Sequence, residues 1–218
     1  MLSRSQIRRA QPSNFHDAPR CDAGPVTYAD DPDDNRRKLE AKLEPQRIRS
    51  TLAFAGLFQL THELLKRRVL EDVKAFFGYS DLFGDGVWLL GPSGEESYRA
   101  SVLSLSPKKP FEASLLWLQD MGAINADQVG RLDEIYAHRH DLTHELAKYL
   151  VDLDFEPDIT LFVDAVDVLK TLSRFWVQVE IDVGAFEEHA DITVDDVTPM
   201  DIATLEMCIR AYAEGLEG

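Results

Sequence analysis

The 218-residue chain has few cysteines, no long apolar run and no excess of basic charge. Its two cysteines, Cys21 and Cys208, lie at opposite ends of the chain. They form neither a metal-ligand spacing nor a secreted disulfide framework, so a reducing, cytoplasmic setting is expected. The longest uninterrupted apolar run, Leu52–Phe58, is far shorter than the roughly 20 residues a membrane helix needs. The first 20 residues carry Arg4, Arg8, Arg9 and Arg20 without an apolar core, so no secretory signal is expected. Lys and Arg number 23 against 39 Asp and Glu, a net charge of −16. That balance argues against DNA as a partner and against avid binding to anionic membranes.

The deficit is uneven. Residues 1–50 hold 10 basic and 8 acidic side chains, residues 51–150 hold 10 and 14, and residues 151–218 hold 3 and 17. Nearly all the acidity is C-terminal, so the total does not exclude a local nucleic-acid site in the middle of the chain. A content of 44% hydrophobic and 28% charged residues suits a globular protein whose core needs no disulfide or metal to fold.

Pro12, Pro19, Pro25, Pro32 and the acidic run Asp30–Asp34 interrupt residues 1–44. This segment reads as a disordered tail with a little helix near Arg36–Leu43. Pro45 suits a first helical turn and Gly78 a stop, which predicts one long helix between them, buried on most sides at Leu52–Phe58. Residues 78–94 are turn-rich, with an extended piece at Val87–Leu90. Further helices are predicted from Ser93 to about Leu105 and over Phe111–Met121. Others run from Asn125 to about Asp152, over Ile159–Val183 and over Pro199–Tyr212. The fold class is therefore all-α, a bundle of four to five main helices over 45–185. An acidic segment and C-terminal helix, 186–218, pack on the same domain.

The informative helix contains Arg139-His-Asp-Leu-Thr-His144. At about 100° per residue, Leu132, Ile135, Tyr136, Leu142, Thr143, Leu146 and Leu150 fall on one arc, and Arg139 sits at its centre. A guanidinium there needs a partner. Glu63, on the long first helix, is the first candidate, with His62 beside it. His144 falls on a second face with Ala137, His140, Ala147 and Val151. Small residues there permit close approach by a second helix, such as that of a symmetry-related subunit.

Arginine, a polar residue, three more residues and a histidine resemble the signature of HEPN domains. The helical bundle and the long preceding helix agree, and the resemblance covers about residues 45–185. It implies a homodimer with two motifs around one cleft, and a metal-independent endoribonuclease without cofactor, as in toxin–antitoxin and phage-defence systems. An antitoxin or regulatory protein is then a further partner. Arg139 would hold the phosphate and stabilise developing charge, while His144 transfers protons. His140 would orient the phosphate or supply a second proton group. Asp141 is a weaker supporting candidate. The products would be a 2′,3′-cyclic phosphate and a 5′-hydroxyl. Some HEPN toxins carry a modified Tyr two residues after the His; here that position is Leu146.

Three rival readings use the same residues. The first is a non-catalytic HEPN-like module that binds a protein or nucleotide. The second is a zinc hydrolase using His140 and His144, with His189 or a carboxylate to serve as third ligand. In the third, Arg139 merely completes a structural ion pair. Lys66-Arg67-Arg68 is the first candidate for RNA contact and Lys108-Lys109 the second, although such clusters usually decorate helix ends. Trp117, Phe175 and Trp176 are expected in the core. The acidic stretch Glu187–Asp201 is expected to confer solubility, dock on a basic partner or cover the site.

Overall fold

A computed structural model describes residues 31–82, 88–90, 92–186 and 191–217. The protein is an all-α bundle with one small antiparallel hairpin. In chain order the helices begin with α1 (Pro32–Lys42) and α2 (Pro45–Arg67), then α3 (Val73–Phe76), α4 (Pro92–Tyr98) and α5 (Pro110–Asp120). After these come α6 (Ala126–His144), α7 (Leu146–Val151), α8 (Ile159–Asp182) and α9 (Met200–Glu217). Strands β1 (Tyr79–Leu82) and β2 (Trp88–Leu90) pair between α3 and α4. The extended piece expected at Val87–Leu90 corresponds to β2.

The start and stop signals act locally, so most boundaries fall where they are expected. Pro45 occupies the first turn of α2. Gly78, with φ of 93°, ends the helical path that continues from α2 through α3. Asn125 and Gln128 close a reciprocal capping box at the start of α6. The Asp158 side chain accepts from the backbone N–H groups of Thr160 and Leu161 at the start of α8.

Three segments differ from expectation. Within the segment read as a tail, the little helix expected near Arg36–Leu43 is α1, which begins earlier, at Pro32, and is docked. Asp31 caps it, Asn35 is buried, and the Lys42 ammonium donates to the carbonyls of Asp152 and Phe155. A lysine that satisfies two carbonyls at a helix end ties this helix to the bundle. The remainder of the expected tail, 1–30, lies outside the described residues.

The second difference is at Leu52–Phe58, where Phe54, Leu57 and Phe58 are buried but Leu52, Ala53 and Gly56 face outward. The third is the break of the motif helix at Glu145, whose φ and ψ are −119° and 25°. The Leu146–Val151 turn is thus a separate helix, and a single helical wheel does not carry across it. The Asp141 carboxylate accepts from the Lys148 ammonium at 2.9 Å across the break.

α2 is the central helix, packed against α6, α8 and α9. Phe58 and Leu65 on α2 and Leu118, Ile135, Leu169, Leu172 and Leu205 on other helices are fully buried in the core. Each such side chain contributes roughly 1.5–3 kcal/mol through apolar burial. Trp117 and Trp176 stack in this core with ring centroids 6.4 Å apart, and Phe175 packs on its margin. Between α2 and α3 the helix widens into a π turn at Arg68–Asp72, and the Trp176 indole donates to the Arg68 carbonyl there. Among the described residues, no helix is long and apolar enough to cross a membrane.

The acidic C-terminal region folds back on the chain's own cations. Asp201 accepts from Arg68, Asp195 from Arg174 and Glu206 pairs with Lys170.

Candidate functional site

Arg139 leaves α6 toward α2. Its Nε donates to Gln59 Oε1 at 2.7 Å, and its Nη2 lies 3.3 Å from Glu63 Oε1. Gln59 Nε2 donates to the same Glu63 oxygen at 2.9 Å. Gln59 is the partner that sequence reasoning missed. It stands one turn before Glu63 on the same face of α2, and that spacing was the available signal. The guanidinium is half-buried, because it sits where the packed seam opens to solvent.

The opening is a cleft of about 430 Å³ between α2, α6 and the start of α5. That volume lies within the roughly 300–1,000 Å³ of small-ligand sites. Lys66 and Lys109 join Arg139 as its cations, Glu63, Asp133 and Glu112 are its acids, and Leu70, Phe111 and Leu132 supply apolar wall. Lys109 is itself bridged to Glu112 at 2.8 Å. Tyr136, placed on the apolar arc by its helical phase, is exposed and borders the cleft instead of entering the core.

His62 is the buried titratable group of this cleft. It is only 6% exposed, its ring centroid lies 5.6 Å from that of Tyr136, and its Nδ1 is 3.7 Å from Glu63 Oε1. That separation exceeds hydrogen-bonding reach, and the buried Nδ1 has no hydrogen-bond partner among the described residues. Burial first, and the Arg139 charge second, hold its pKa below the ordinary 6.5.

The other predicted site residues scatter. His140 and His144 face solvent with ring centroids 4.3 Å apart, and neither lines the Arg139 cleft. Among the described residues, no cluster of three metal-ligating side chains includes them. His189 lies outside the described residues. Asp141 is held by Lys148, which lowers its pKa. Of the basic cluster, Lys66 borders the cleft and Arg67 lines a separate groove beside Met200. Arg68 is not a free cation: it grips Asp72 and Asp201, each at 2.8 Å. The widened turn aims its side chain at the start of α9, away from solvent. None of the described residues of the acidic segment lines the Arg139 cleft.

The fold and cleft define a helical-bundle protein with an arginine–histidine–acid cleft at the side of its central helix. Comparison with family models, curated proteins and solved structures found no match.

Proposed function

We propose that this protein is a metal-independent endoribonuclease of the HEPN kind, acting as a homodimer and serving as a toxin or defence effector. The observation that carries the reading is Arg139 at the mouth of an open cleft, with Lys66 and Lys109 as neighbouring cations. A planar guanidinium can grip a phosphate in two places and stabilise charge developing on it. Exposed residues on two successive helices support the dimer: Ala137, His140 and His144 on α6 and Ala147 and Val151 on α7. An isologous contact along this face brings two His140–His144 pairs toward one axis. His144 then transfers protons and His140 assists.

A second reading rests on a specific observation. Arg139 is already engaged by Gln59 and Glu63, as in a structural ion pair. A non-catalytic module that binds a protein or nucleotide would look the same. Incubation of a single-stranded RNA with the full chain in EDTA separates the two. The ribonuclease reading expects a 2′,3′-cyclic phosphate product. It also expects a loss of about 10²–10³-fold in rate for Arg139→Ala and for His144→Ala. No cleavage by the wild type leaves the binding module.

A further inference from the structure

We infer that His62 is a catalytic residue of the Arg139 cleft, acting through Nε2 as general base while Glu63 orients its ring through Nδ1. This rests on the ribonuclease reading above and adds to it a histidine outside the Arg139–His144 motif.

Three observations carry it. His62 lines the same cleft as Arg139, from the opposing helix. Its Nδ1 is buried and lacks a hydrogen-bond partner among the described residues, a costly state for a polar atom that is otherwise almost always satisfied. Glu63 stands between the two groups, 3.3 Å from the guanidinium and 3.7 Å from Nδ1. A phosphate that takes the guanidinium releases this carboxylate to accept from Nδ1–H. Catalytic hydrogen bonds are often long before substrate binds. The orphaned atom thereby gains its partner, and the other ring nitrogen is left as the acceptor.

The step balances as a transesterification. The ribose 2′-hydroxyl gives its proton to His62 Nε2, and its oxygen bonds to phosphorus. The bond from phosphorus to the 5′-oxygen breaks, with the electron pair staying on that oxygen. The leaving oxygen takes a proton from a solvent water, and the hydroxide so formed removes the proton from His62. Burial together with the Arg139 charge keeps His62 unprotonated at neutral pH, as a base must be.

The test measures cleavage of a single-stranded RNA oligonucleotide by the full chain in EDTA, with thermal melting to monitor folding. His62→Gln retains a hydrogen-bonding side chain but cannot accept the proton, so a loss of at least about 100-fold in kcat is expected. Glu63→Gln, at an exposed position, decides the matter if His62→Gln fails to fold, and about a tenfold loss in kcat is expected. Cleavage that Arg139→Ala abolishes but folded His62→Gln leaves at the wild-type rate overturns the role of His62 alone. So does an unchanged kcat for Glu63→Gln. Absence of cleavage by the wild type overturns both this role and the ribonuclease reading.

Discussion

His62 and His138 make the fold sensitive to mild acid. His138 Nε2 accepts the Asp158 backbone N–H at 3.0 Å, and its ring lies edge-on to Phe58. Burial lowers both imidazoles below the ordinary 6.5. As pH falls through that value the unfolded chain takes up protons that the folded chain refuses. Stability is therefore full above about pH 6.5 and declines below it, until the folded imidazoles themselves titrate. Asp72 works in the opposite direction, since burial raises its carboxyl, but it starts from an ordinary 3.8. The melting temperature should drop between about pH 7.5 and 5.5. A variant carrying His62→Gln and His138→Gln should show a shallower drop; an equal drop would refute this origin.

At the scale of elements, two glycines have opposite meanings. Gly122, with φ of 73°, closes α5 through bonds from Gly122 N–H to the Gln119 carbonyl and from Ala123 N–H to the Leu118 carbonyl. Gly130 lies inside α6, and nothing crowds a Cβ at either position. Steric cost is therefore absent, and backbone preference decides the sign. Gly122→Ala should destabilise by about 1 kcal/mol, and Gly130→Ala should stabilise by up to about 1 kcal/mol. Urea unfolding of the two variants checks both signs. The turn between these helices matters to the cleft, because α5 contributes Phe111 and α6 contributes Arg139.

The whole molecule distributes its charge by folding. The acidic C-terminal region is spent partly on Arg68, Lys170 and Arg174, which leaves the Arg139 cleft with its own cations. The outward face of α6 and α7 is the surface that the proposed dimer needs. The wild type should sediment at twice its 24.6 kDa mass, and Ala147→Arg should yield a folded monomer without ribonuclease activity. A wild type that sediments as a monomer at high concentration would remove the shared cleft from the argument.

Much of the architecture was legible in the chain alone, because helix limits are set by local groups. Pro45, Gly78, Gly122, Asn125 and Asp158 act within one turn of themselves. Part of the cleft was legible too, since an arginine in an apolar arc demands a partner and Glu63, on another long helix of the bundle, was the first candidate. The burial of His62 and the capture of Arg68 by Asp201 were not legible, because each depends on residues distant in sequence. The break at Glu145 was not legible either; across it Lys148 pairs with Asp141 and lies over the ring of Phe155. By itself the sequence determined which segments are helical and that Arg139 must be compensated. Only the tertiary structure decided which histidine shares its cleft, since burial and charge at a side chain are set by the helices packed around it.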